Sequence, residues 1–165
     1  MTRIHTPPLL GRIPPTRGQR EQATEYLLVY GTLLASELPR APIDVAASLQ
    51  LIGRRRIRGR LYDLGEYPGL LPGDDLVEAE LHALADPGVL TALDAYEGFD
   101  PDDPQGSLFL RRSIRVPRFG TGPDCRWFDR QTIDAWVYTY NRAVDAAALI
   151  ASGCWRAHLE ERSRS

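Results

Sequence analysis

Tyr26-Leu27-Leu28-Val29-Tyr30-Gly31-Thr32-Leu33-Leu34 is the stretch on which the fold of this chain turns. Its first five residues are apolar and β-favouring with no polar alternation, which predicts a short buried strand stopped by Gly31. Beyond the strand the chain must bend sharply. Successive backbone N–H groups in such a bend can point into one concavity and hold an anion without a cationic side chain, and glycine lets the backbone come close. Tyr30, Gly31, Thr32, Leu33 and Leu34 are therefore candidate binding residues for a carboxylate. The plainer alternative is a strand end and a turn with no ligand.

Working outward, residues from about Ser48 to Asp63 alternate. Leu49, Leu51, Gly53, Arg55, Ile57, Gly59 and Leu61 fall on one side, and Arg54, Arg56, Arg58 and Arg60 on the other, which marks strand with one wet face. Gly65 to Asp75 is punctuated by glycine and proline and reads as a surface loop. Val77 to Leu84 reads as strand again. Asp86-Pro87 is a good helix start, Val89, Leu90, Leu93 and Tyr96 share an apolar stripe, and Gly98 fits the residue that ends the helix. Two more strands are predicted around Leu108–Val116 and Ile133–Tyr140, separated by a loop that carries Trp127 and Phe128. From Asp145 onward the chain is alanine-rich and then broken at Ser152-Gly153, consistent with a docked helix or an irregular strap.

Strands thus dominate, with one or two helices. The expected class is α+β, a small mixed β-barrel with flanking helices, closed or nearly closed because closure hides sheet edges. The expected organisation is a Pro/Arg-rich disordered tail over residues 1–24, one domain over 25–142, and an extension over 143–165 that docks on it. The tail has no continuous apolar segment before a small-residue cleavage site, so it does not read as a secretory signal.

Composition narrows the chemistry. The 165 residues contain no lysine at all, which excludes a Schiff-base lysine, a phosphate-loop lysine and a lysine general base. The formal net charge of −2 does not favour a polyanionic partner, and no aromatic residues interleave with the arginines of 54–60, so no nucleic acid is expected. No apolar run reaches the ~20 residues needed to cross a bilayer, so no membrane is expected either and a cytoplasmic location is the default. Cys125 and Cys154 are too few for a disulfide framework, and His5, His82 and His158 show no ligand spacing, so no metal is assigned.

Leu93-Asp94-Ala95-Tyr96-Glu97-Gly98-Phe99 puts a carboxylate in the last turn of the predicted helix. The helix C-terminus carries partial negative charge, so the ionised form of Glu97 is disfavoured there and its pKa should rise toward the range useful for proton transfer. Glu97 is the candidate catalytic acid/base; the alternative is a side chain that points into water. The loop Tyr62-Asp63-Leu64-Gly65-Glu66-Tyr67-Pro68-Gly69-Leu70 offers aromatic groups for a pocket wall, Tyr67 among them, or for ordinary lid packing.

In combination and in this order, Val29 to Leu33, Gly59 to Leu70, Glu80-Leu81, Leu93 to Gly98, Arg111-Arg112 and Ala135 to Tyr138 resemble the γ-glutamylcyclotransferase-like family, over about residues 26–141, with a weaker echo at Ser152 to Trp155. The resemblance implies a small β-barrel, no cofactor, a catalytic glutamate at Glu97, and a glutamyl group held by the Tyr30 to Leu33 turn. The product would be pyroglutamate (5-oxoproline), released with a free amine from a γ-glutamyl amine or amide. The implied partner is that small molecule, on a chain acting as monomer or homodimer. One departure stands out: Phe109-Leu110 occupies the place before the paired arginines where a tyrosine is expected, which bears on substrate identity. A non-catalytic binding module on the same fold is the rival reading.

Overall fold

The computed structural model describes residues 24–34, 43–118 and 131–164. The predicted tail up to residue 23 and the Trp127–Phe128 loop lie outside the described residues, as does Cys125.

The described chain runs β1 (Tyr26–Val29), α1 (Ile43–Ser48), β2 (Leu49–Asp63), β3 (Pro68–Leu84), α2 (Val89–Glu97), β4 (Phe109–Pro117), β5 (Thr132–Tyr140), a 3₁₀ turn (Ala146–Ala148) and α3 (Trp155–Ser163). The strands form one mixed sheet in the order β2-β3-β1-β5-β4. β1 is antiparallel to β3, with Leu28 opposite Leu81, and parallel to β5, with Leu27 opposite Trp136. A strand paired on both edges in mid-sheet is expected to be apolar without alternation, and Leu27, Leu28 and Val29 are all buried.

The α+β class and the flanking helices are as expected, but the sheet does not close. β2 and β4 are its edges. Arg55 spans them: its Nε donates to the Pro117 carbonyl at 2.9 Å and a terminal nitrogen donates to the Arg118 carbonyl. The predicted alternation in β2 holds where it matters, since Arg55, Ile57, Gly59 and Leu61 are buried while Arg54, Arg56, Arg58 and Arg60 are exposed. Leu51 departs from it and is exposed, next to the register shift between Leu51 and Gly53.

The surface loop expected over Gly65–Asp75 is mostly strand. Only Leu64 to Tyr67 turns, with the Leu64 N–H on the Tyr67 carbonyl at 3.0 Å, and β3 begins at Pro68. The prolines mislead because Pro68 sits at the strand's first residue and Pro72 in a bulge. Arg58 pairs with Leu76 and Arg60 with Leu71, so Pro72, Gly73, Asp74 and Asp75 all face Gly59 alone, where a missing N–H breaks no ladder.

The C-terminal part packs back on the hairpin. The Ile150 N–H donates to the Leu61 carbonyl and the Glu78 N–H to the Gly153 carbonyl, each at 2.8 Å. Gly153 has φ +63°, and a Cβ there would lie on the Leu76 carbonyl oxygen, so both conformation and space require glycine. α3 buries Trp155, stacks it on His158, and ties to Asp63 through His158 at 2.7 Å and Arg162 at 3.3 Å.

Candidate active site

The site forms where β1 stops after four residues while β3 and β5 run on beside it. A hollow of about 250 Å³ opens there, and Tyr30, Gly31, Thr32, Leu33, Tyr67 and Glu97 all line it. Leu108, Phe109 and Tyr138 complete much of the remaining wall.

Glu97 reaches the hollow because α2 ends beside it. Asp86 accepts the Gly88 N–H at 2.8 Å just ahead of the first helical turn, and Val89 and Leu93 bury one face of the helix. Gly98, with φ 66° and ψ 39°, terminates it: the Phe99 N–H returns to the Asp94 carbonyl at 2.8 Å, a left-handed stop that glycine favours. The Leu108 N–H then donates to the Gly98 carbonyl at 2.9 Å, tying the helix end to the start of β4. Tyr96, expected on the apolar stripe, is 39% exposed. It lies instead at the hollow, its hydroxyl 3.3 Å from Thr32 Oγ1.

Part of Glu97's surface stays open, yet protein fills most of the volume around its carboxyl group, and burial pushes its pKa up to about 7. The direction matches the sequence reading but the cause is desolvation, where the helix dipole had been expected. Among the described residues no hydrogen bond or ion pair holds the carboxyl group. It therefore faces the hollow available to a ligand.

The turn opposite is built as the sequence suggests, with one difference. The Leu34 N–H donates to the Gly31 carbonyl at 2.9 Å and is spent on closing the turn. Among the described residues no such bond takes up the N–H groups of Gly31, Thr32 or Leu33. Leu34 itself faces a second hollow lined by Arg54, Arg56, Cys154 and Arg156. Glycine at 31 has a packing reason as well: a Cβ would sit 2.7 Å from Pro68 Cγ and 2.9 Å from its Cδ.

Beneath the hollow runs a polar network. Asp94, one helical turn before Glu97, accepts the Tyr138 hydroxyl at 2.7 Å and Arg111 at 2.8 Å. The Arg111 guanidinium lies 4.9 Å from the Trp136 ring centroid and 5.6 Å from that of Phe99, a cation held by aromatic faces. Tyr30 donates its hydroxyl to the Tyr138 carbonyl at 2.7 Å and receives the Leu70 N–H at 3.4 Å. Burial, then the negative charge of Glu97, hold the Tyr30 phenol well above its ordinary range. Burial and the bond to Asp94 raise Tyr138 likewise. Both phenols thus stay neutral donors.

Comparison with known proteins places this architecture. Residues 27–157 match the family model described as gamma-glutamyl cyclotransferase, AIG2-like. The chain belongs to that family. The gamma-glutamylcyclotransferase family protein YtfP of Escherichia coli K12 is 35% identical over 107 residues, 64% of this chain and 76% of that protein. The solution structure of ytfP from Escherichia coli superposes with a TM-score of 0.54 at 30% identity, covering 79% of this chain and 95% of that one. YkqA of Bacillus subtilis shares the fold at TM-score 0.59 and 20% identity; the match covers 86% of this chain but 43% of YkqA.

In this AIG2-like chain the sequence singled out Glu97, Tyr30 to Leu34 and Tyr67, and the structure gathers all of them at one hollow except Leu34, which lines the second. Asp94 escaped notice as a partner of Arg111 and Tyr138. A signal existed: Asp94 precedes Glu97 by three residues, so both project from neighbouring faces of α2. The ladder then sets Arg111 opposite Tyr138, which no local pattern announces. Among the described residues no group of three or more His, Cys, Asp or Glu side chains is arranged to hold a metal, and no helix is long and apolar enough to cross a membrane.

Proposed function

We propose that this chain is a γ-glutamyl cyclotransferase-type enzyme that releases 5-oxoproline and a free amine from a γ-glutamyl amine or amide, with Glu97 as acid/base. The observation that carries this reading is one hollow lined by Glu97, Gly31, Thr32 and Leu33, where the Glu97 carboxyl group and the backbone N–H groups of the other three have no hydrogen-bond partner among the described residues. Family membership supports it.

The substrate carries its own nucleophile, the α-amino nitrogen. Its α-carboxylate docks on the N–H groups of Gly31, Thr32 and Leu33, which restricts the chain to a ring-closing rotamer; effective molarities for such geometry reach about 10⁵ M or more. The α-ammonium faces Glu97. A cation there favours the ionised carboxylate, so substrate binding itself prepares the base. Glu97 takes a proton, the freed nitrogen attacks the γ-carbonyl carbon, and a C–N bond forms as the five-membered ring closes. The bond from that carbon to the departing amine breaks, and Glu97 returns its proton to the leaving nitrogen. The ring nitrogen then carries one surplus proton; Glu97, ionised again, takes it and passes it to the released amine, which departs as an ammonium, so protons balance and no covalent enzyme intermediate is needed.

Glu97→Gln tests it. The variant keeps the shape of the side chain but cannot accept a proton, so 5-oxoproline release, followed by mass spectrometry, falls by about 10²- to 10⁴-fold. Calorimetry still detects binding of the γ-glutamyl ligand. Full turnover by the variant would remove Glu97 from the mechanism. Binding without product from a broad panel of γ-glutamyl compounds by the parent protein would leave a binding module.

A further inference from the structure

The leaving nitrogen must come within reach of Glu97, and the groups nearest that carboxyl along the chain fold decide what its substituent meets. Gly98 is tied to Leu108 by a 2.9 Å backbone hydrogen bond, and a Cβ on Gly98 would lie 3.3 Å from Leu108 Cβ, so the wall beside Glu97 is the start of β4. Phe109 follows, 4% exposed, with Tyr67 at 6.0 Å between ring centroids on one side and Tyr140 at 5.3 Å, edge-on, on the other. Tyr96 and Thr32 also line the hollow, their hydroxyl oxygens 3.3 Å apart. The wall formed by Leu108, Phe109 and Tyr67 is thus aliphatic and aromatic.

We infer that the amine released carries an uncharged, apolar substituent of aryl or branched-alkyl type, seated against Leu108, Phe109 and Tyr67. This rests on the reading of Glu97 as the proton carrier for the departing nitrogen. Burying such a group against these rings is favourable, whereas a carboxylate on the same amine would be stripped of water and set close to an anionic Glu97. The size agrees. At about 250 Å³ the hollow falls just below the roughly 300–1,000 Å³ of pockets that engulf drug-sized ligands, leaving room for the glutamyl group and one compact substituent.

Three γ-glutamyl amides of similar reach separate the possibilities: the benzylamide, the glycine conjugate with its carboxylate, and the mono-derivative of 1,5-diaminopentane with its ammonium. The expected kcat/KM for 5-oxoproline release is higher for the benzylamide by about tenfold or more over either charged compound. Phe109→Leu, which shortens the wall while keeping it apolar, should raise KM for the benzylamide more than it lowers kcat. Equal or faster turnover of a charged amide overturns the inference and leaves the cyclotransferase reading intact. If none of the three yields 5-oxoproline, that reading fails, and thermal stabilisation by the same compounds decides the seat: selective stabilisation by the benzylamide upholds it, and none or equal stabilisation overturns it.

Discussion

Glu97→Gln should make the protein more stable at pH 8 while leaving stability near pH 4 unchanged. Burial raises the folded pKa from the ordinary 4.5 to about 7. The folded state therefore holds its proton more tightly than the unfolded chain, and folding stability falls wherever the unfolded state has released a proton that the folded state retains. Below pH 4.5 both states are protonated and nothing is lost. The loss grows from 4.5 and is complete above 7. At about 1.36 kcal/mol per pH unit the ceiling is about 3 kcal/mol, and water reaching the open side of the carboxyl group brings the expected value to about 1–2 kcal/mol. Glutamine carries no charge to desolvate and recovers this amount. Urea denaturation of both proteins at pH 4, 6 and 8 reads it, and at this chain length thermal midpoints should separate at pH 8 by about 2–8 °C. An unchanged or lowered stability at pH 8, or the same increment at pH 4, would show that Glu97 is not held in a desolvated site.

Other expectations follow from the same geometry. Gly31→Ala drives a methyl group into the Pro68 ring, at 2.7 Å from Cγ, and should cost about 1–3 kcal/mol and weaken γ-glutamyl ligand binding in calorimetry; unchanged stability and affinity would contradict the packing. Arg111→Gln strands the partly buried Asp94 carboxylate and should cost about 2–3 kcal/mol, with Asp94→Asn in the same chain recovering about 1–2 kcal/mol; strictly additive losses would mean the two side chains do not couple. Burial opposes ionisation of Asp63, but the His158 hydrogen bond, the Gly65 N–H and Arg162 outweigh it and lower its pKa. Its contribution is present above the ordinary carboxylate pKa and lost as pH falls through the lowered folded value. Asp63→Asn should thus cost about 1 kcal/mol at pH 7, with a difference from the parent that shrinks below pH 4; a constant difference would point to packing alone.

The sequence by itself determined elements whose signal is local. The unbroken apolar run of β1, the arginine alternation in β2, and the stop of α2 at Gly98 follow from which face of a few consecutive residues must leave water, or from the one residue that accepts a left-handed turn. Only the tertiary structure decided that Pro68 to Asp75 continue β3, because a four-residue bulge opposite Gly59 depends on the partner strand. The same holds for the open edges bridged by Arg55, for Asp94 between Arg111 and Tyr138, and for the desolvation that tunes Glu97. Each arises from groups far apart in the chain. Periodicity records which side of an element is buried; it carries no record of what that side is buried against.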